Sequence, residues 1–165
     1  MGIIISSFKG CGRSTFIEEN SGKVKIYDAS QANPQDDEEL EGLVNKVMDA
    51  VNDNDIVFID SSEPTREAFN ERGIDYDIFY PSKERRGEFI ENLVRKRAGS
   101  KEIMEMDRHF DKLIKEIDDD ESENCYKHKL SNTSEFIGNS PIIEQYVDSL
   151  KNRKIEDNIK TEGND

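Results

Sequence analysis

The sequence predicts an α/β fold, three layers deep (α/β/α), built on a five-stranded parallel sheet. Three observations carry this. Short apolar runs alternate with longer amphipathic stretches, the pattern of strands separated by crossover helices. The segment DIVFID, residues 55–60, is an apolar run between acids, as a central parallel strand buried on both faces reads. Proline and glycine punctuate the junctions, as at Pro64, Gly73 and Pro81.

Taken in order, Ile3–Ser7 is the first strand, and a glycine-rich turn leads into a helix over 14–20. VKIYD, 24–28, is the second strand. After the polar loop QANPQDD, a helix over 38–52 places Leu40, Leu43, Val44, Val47, Met48 and Val51 on one face. DIVFID is the third strand. Pro64 starts the next helix and Gly73 ends it. DYDIFY, 75–80, is the fourth strand, closed by Pro81. Two helices follow, over 83–96 and 101–117. The second carries Ile103, Met106, Phe110, Leu113, Ile114 and Ile117 at helical spacing, with Asp111 and Lys115 as an i,i+4 pair. After an acidic loop, 118–123, come a last strand over Cys125–Leu130 and a helix over 141–150. Residues 1–150 read as one domain with a helical, lid-like segment at about 82–118, and 151–165 as a polar tail expected to be disordered.

Charged residues make up 36% of the 165-residue chain and the net charge is −14, which disfavours nonspecific binding to nucleic acid or to anionic membranes. No apolar run is long enough to span a membrane, and the start does not read as a signal peptide. Cys11 and Cys125 lie far apart and match no metal spacing, so a reduced, cytoplasmic protein is expected.

The chemistry concentrates in the turn after the first strand, Ser7-Phe8-Lys9-Gly10-Cys11-Gly12-Arg13-Ser14-Thr15. It follows the outline of a phosphate-binding P-loop, G-x-x-x-x-G-K-[ST], with Ser7 at the first glycine and Arg13 at the lysine. Backbone N–H groups in such a turn converge on phosphate oxygens, and glycines let the backbone approach closely. Ser14 stands where the hydroxyl ligand of Mg²⁺ belongs, with Thr15 beside it. Arg13 keeps the positive charge but carries it on a longer, planar group. Lys9, inside the loop, is a second source of charge. The competing reading is a ligand-free turn between strand and helix. The loop's place, after the first strand and opening the first helix, is the context the motif requires.

Ligands of parallel α/β sheets bind at the carboxyl ends of the strands. That rule gathers the loop, Asp28 and Ser30 after the second strand, and Asp60 after the third. Asp60 ends its strand as a Walker B acid does and either serves Mg²⁺ or caps the turn at Ser61 and Ser62. Arg66 either reaches an acceptor phosphate or lies on a solvated helix face. His109 and His128 have no second ligand at metal spacing and read as structural.

The chain resembles small P-loop proteins of phages and bacteria that are similar to nucleoside monophosphate kinases, adenylate kinase-like proteins among them. The matching blocks are IIISSFKGCGRSTF, KIYDAS, DIVFIDSSEPTREAFNERGI and DIFYPSKERRGEFIENLVRKRAG, which cover most of residues 1–118. In that group the loop usually has lysine at the position of Arg13, while serine at the first position is compatible. The resemblance implies a P-loop NTPase fold, ATP (or another nucleoside triphosphate) with Mg²⁺ as cofactor, and nucleotides as partners. It implies that 82–118 is a lid, with Arg85, Arg86, Arg95 and Arg97 as candidate clamps on the transferring phosphate, and that Asp28 faces the acceptor or the metal; a turn aspartate is the other reading of Asp28. The charges agree: residues 83–97 hold Lys83, Arg85, Arg86, Arg95, Lys96 and Arg97 against Glu84, Glu88 and Glu91. An amphipathic helix with a solvated basic face is the other reading of that segment. Transfer of the ATP γ-phosphate to a nucleoside or deoxynucleoside monophosphate is thus the expected activity. A noncatalytic nucleotide-binding module, or an interaction protein with a vestigial loop, is the alternative.

Overall fold

The computed structural model describes residues 1–162, with side chains through residue 160. Five strands, β1 (Ile3–Ser7), β2 (Ile26–Asp28), β3 (Ile56–Asp60), β4 (Tyr76–Pro81) and β5 (Cys125–Leu130), form one sheet in the order β2-β3-β1-β4-β5. Every pairing is parallel, as the alternation of strands and helices predicts. The helices are α1 (Arg13–Glu19), α2 (Asp37–Asp53), α3 (Glu63–Glu71), α4 (Arg86–Arg95), α5 (Ser100–Asp118) and α6 (Pro141–Glu162).

Both faces of the sheet are covered. Ile5 of β1 is level with Phe58 of β3 and Asp77 of β4. On that face Phe16 of α1 packs edge-on against Phe58, ring centroids 6.0 Å apart. Tyr76 and Tyr80 alternate to the opposite face. There Phe69 of α3 meets Tyr76 at 6.2 Å, and Tyr80 Oη donates to Asp118 at the end of α5 at 2.7 Å. The central strands are apolar because neither side sees water: Ile56, Val57, Phe58 and Ile59 are all fully buried. β5 is an edge, and Lys127 and Lys129 along it oppose further strand addition.

Local chemistry sets the helix ends. Asp36 caps α2, accepting the Glu39 amide at 2.8 Å, while Glu39 reaches back to the Gln35 amide at 2.6 Å. Pro64 occupies the first turn of α3. The α2 stripe is buried at Leu43, Val44, Val47 and Val51, with Met48 at its exposed margin. On α5, Met106, Phe110, Ile114 and Ile117 are buried, but Leu113 turns outward to line a cleft. Lys115 pairs with Asp119 at 2.6 Å rather than with Asp111, the favourable order of acid before base giving way to contact at the helix end.

Three expectations are corrected. The 83–96 stretch is not one helix: Lys83–Arg85 forms a 3-10 turn before α4, which carries the Arg85 side chain into the interior. The second strand is shorter than 24–28, since Val24 and Lys25 lie outside the ladder. The helix expected over 141–150 continues to Glu162 where a disordered tail is predicted from 151. Neither proline nor glycine interrupts 151–162, so nothing stops propagation, and Lys154 Nζ ties the extension to the Lys23 carbonyl at 2.8 Å. Residues 163–165 lie outside the described residues. No described helix is long and apolar enough to cross a membrane.

One tight point near the bottom of the sheet gives a direct stability test. A Cβ on Gly2 would stand 2.1 Å from the Asn54 carbonyl oxygen and 2.8 Å from that of Asp55. Both are backbone atoms, so Gly2→Ala must displace the α2–β3 connection. It is expected to cost about 1–3 kcal/mol, read as a lower midpoint in urea unfolding.

Candidate functional site

β1 stops at Ser7, and the chain turns through Phe8-Lys9-Gly10-Cys11-Gly12 into α1. Gly10 (φ 93°) and Gly12 (φ 90°) both take left-handed backbone, which an L side chain rarely adopts. The loop is held from beneath. The Phe8 amide donates to the Phe79 carbonyl at 3.0 Å, the Cys11 amide to the Phe8 carbonyl at 3.1 Å, and the Cys11 carbonyl accepts the Ile137 amide at 2.9 Å. Phe8 packs edge-on between Phe89 and Phe110, at 6.2 and 5.6 Å. Cys11 is buried beneath the loop, and desolvation pushes its thiol pKa well up, against a weaker opposing effect of the Arg85 charge. The Cys11 amide is therefore spent internally. The amides of Gly12, Arg13, Ser14 and Thr15, at the start of α1, have no acceptor outside their helix among the described residues.

A cleft of about 490 Å³ opens above the carboxyl ends of the strands. Its floor is Ser7, the loop and Ser14, and its sides bring in Ser30, Gln31, Asp60, Arg66 and Lys96. The Ser7 hydroxyl is buried with no hydrogen-bond partner among the described residues, although Ser7 lines this cleft. The Asp60 carboxylate makes no hydrogen bond or ion pair with any described residue; only its carbonyl is engaged, by Ser6 Oγ at 3.0 Å. Leu93, Leu113 and Ile117 form an apolar wall, with Glu102 and Glu116 nearby on α5. A second cleft of about 500 Å³ lies on the other side of the loop, between Thr15 and Phe16 on one flank and Phe136, Gly138 and Asn139 on the other. Gly10, Gly12, Thr15 and Lys96 border both clefts.

The predicted site residues divide into those brought together here and those engaged elsewhere. Ser7, Phe8, Lys9, Gly10, Gly12, Arg13, Ser14, Thr15, Ser30, Asp60 and Arg66 line the first cleft. Arg13 Nε lies 3.2 Å from Asp28 Oδ2, an ion-pair distance at an angle that makes no hydrogen bond. Asp28 Oδ1 accepts the Ser30 amide at 3.0 Å and the Ser30 hydroxyl at 2.6 Å. Lys9 is paired with Glu102 of α5. Arg66 is buried, not on a solvated face: Nε donates to the Ser61 carbonyl at 3.1 Å and Nη1 to Asp120 Oδ2 at 2.7 Å. Burial opposes the Asp120 charge, but Ser122, Asn70 and Arg66 outweigh it and hold its carboxyl below the usual range.

The arginines of the 82–118 segment lie away from the first cleft. Arg85 is buried, forked onto both Glu88 oxygens at 3.0 and 2.6 Å. It also bonds the carbonyls of Leu130 and Glu135 at 3.1 and 2.7 Å and stands 5.1 and 5.2 Å from the Phe89 and Phe136 rings. Arg86 joins α4 to Asp107 of α5 at 2.5 Å, and Arg95 pairs along its own helix with Glu91 at 2.7 Å. Arg97 is exposed, with left-handed backbone (φ 56°). The cation of this segment that does border the cleft is Lys96, which the sequence offers only as one charge in a basic run. Phe136 and Asn139 carry no sequence signal, because their segment reads as plain loop. His128 contacts Asp77 at 2.7 Å and stacks on Phe79, a structural setting.

Two hard oxygen donors, the Ser14 hydroxyl and the uncommitted Asp60 carboxylate, border the same cleft. Mg²⁺ keeps several waters and takes few protein ligands, so this donor set fits it. No group of three or more His, Cys, Asp or Glu side chains that would suit a protein-only metal centre occurs among the described residues.

No protein-family model matches the chain, and no curated protein matches it. Among solved structures it is similar to a gluconokinase from Sinorhizobium meliloti 1021, with 10% identity over 98% of this chain and 96% of that one and a TM-score of 0.46.

Proposed function

We propose that this chain is a P-loop nucleotide-binding protein that transfers the γ-phosphate of ATP to a nucleoside or deoxynucleoside monophosphate. One observation carries the reading: a glycine-shaped loop, an uncommitted strand-end carboxylate and four basic side chains (Lys9, Arg13, Arg66, Lys96) all border one open cleft at the carboxyl end of a parallel sheet.

Phosphoryl transfer asks a protein mainly for positioning and for neutralising charge. Loop amides and the Ser7 hydroxyl would hold phosphate oxygens. Ser14 and Asp60 would hold Mg²⁺, directly or through its waters. When bound, the ion would supply positive charge that neutralises the phosphates. Lys96, bordering both clefts, suits the junction where donor and acceptor phosphates meet. Arg66 Nη2 donates to no described residue and suits the acceptor phosphate. The apolar wall of Leu93, Leu113 and Ile117 favours a flat, partly apolar body such as a nucleobase.

A second reading, a nucleotide-binding module without efficient transfer, draws on the pairing of the basic groups. Lys9, Arg13, Arg85, Arg86 and Arg95 all face internal carboxylates. A screen of ATP and GTP with every nucleoside and deoxynucleoside monophosphate, Mg²⁺ present, separates the two when binding and product are both read. ADP formation that rises with a particular monophosphate is the expected result. Binding without turnover in every pairing selects the module. No nucleotide binding at millimolar concentration overturns both.

A further inference from the structure

We propose that Asp28 is a positioning residue for Arg13, and that this pair is what lets a guanidinium work where a P-loop normally has an ammonium. The inference rests on the nucleotide-binding reading above and goes beyond it, because it assigns different jobs to different nitrogens of one side chain.

Arg13 leaves the loop at the start of α1, and its Nε is buried 3.2 Å from Asp28 Oδ2. Neither of its Nη nitrogens donates to any described residue. The side chain is about one-fifth exposed and borders the cleft. Asp28 is itself held, because its other oxygen accepts two bonds from Ser30. The carboxylate therefore restrains the stem side of the guanidinium and leaves the outer fork open. A fork of two N–H donors matches a phosphate bidentately, a geometry lysine does not have. A long, flexible arginine placed free in a cleft would lose rotamer entropy on meeting phosphate; one already drawn to a carboxylate by an ion pair beside Nε loses less.

The two cations predict opposite consequences. With arginine, Asp28 and phosphate take different nitrogens, so the carboxylate supports binding. With lysine, a single ammonium must serve both, so the carboxylate competes with phosphate. Asp28→Asn is the suitable probe. Asparagine retains Oδ1 to accept from Ser30, while its neutral amide NH₂ stands beside the Arg13 guanidinium and cannot pair with its charge.

The experiment is calorimetric titration of ATP with Mg²⁺ into the full chain and into Arg13→Lys, Asp28→Asn and the double variant, with urea unfolding of each. Asp28→Asn is expected to weaken ATP binding on the order of tenfold beside Arg13. In the Arg13→Lys background the same change should leave affinity unaltered or tighten it. Equal weakening in both backgrounds, or no weakening beside Arg13, overturns the proposal. A loss that tracks unfolding stability alone overturns it as well, since a merely structural Asp28 would give that. If the unaltered chain binds no ATP, the nucleotide reading fails and this proposal with it; binding without the reversal removes only the proposal.

Discussion

Replacing Arg85 by methionine is expected to destabilise the protein by about 3–5 kcal/mol, measured by chemical unfolding, because the partly buried Glu88 carboxylate would lose the one cation paired with it among the described residues and two carbonyls would lose their donor. The Arg85 side chain is 3% exposed. It satisfies both Glu88 oxygens and two carbonyls, and it lies between two aromatic rings. Methionine replaces the stem and none of the donors. Since small domains are stable by roughly 5–15 kcal/mol, such a loss leaves a large unfolded fraction. Arg85→Lys should recover little, because one ammonium cannot fork across a carboxylate and reach two carbonyls together. The pair also has a pH signature. The hydrogen bond from Arg85, and secondarily that from the Ser134 amide, hold the Glu88 carboxyl below its ordinary value of 4.5. The unfolded chain then takes up that proton first as pH falls. The contribution of Glu88 is complete above its ordinary range and is lost as pH drops through the lower folded value. Arg85→Met should flatten that acid limb.

Gly12→Ala is expected to reduce nucleotide binding on the order of 100-fold while leaving most of the fold intact. Gly12 sits at φ 90°, and an added Cβ would stand 3.0 Å from Phe136 Cβ. Left-handed backbone costs a non-glycine residue about 1–3 kcal/mol, which the loop can relieve only by turning its amides. A shift of about 1 Å at a phosphate cradle is enough to cost about 100-fold. Phe136 would have to yield as well, and it flanks the second cleft. Circular dichroism checks the fold and calorimetric titration with ATP checks the site. Undiminished affinity would mean that nucleotide, if bound, does not use this loop.

Much of the architecture was legible because it is written in local pattern. Ile56 to Ile59 read as a strand buried on both sides, and Pro64 and Gly73 mark helix ends by backbone chemistry alone; the Asp36 cap of α2 was hidden in a polar loop in which several residues could cap. The loop was legible for the same reason, since its glycines and hydroxyls are consecutive. The partners of the arginines were not. Arg85 meets the carbonyls of Leu130 and Glu135, and Arg66 meets Asp120, across separations of 45 to 54 residues. A basic run tells how much charge a segment holds; which carboxylates it meets is decided by packing. The 3-10 turn over Lys83–Arg85 shows the point, because it turns inward a side chain that an unbroken helix would have left among the others. Lys96 was hidden in the same run for the opposite reason: nothing in its local pattern separates the one cation of that run at the cleft from its neighbours.

The position of Cys11 has a chemical consequence. The residue is 1% exposed and its proton is held more tightly than in a free thiol. Alkylating agents and peroxides act on accessible thiolates, and this group offers neither access nor charge. Oxidants and alkylating agents are thus expected to leave Cys11 untouched while the loop stays folded, a result that thiol titration of the native protein checks.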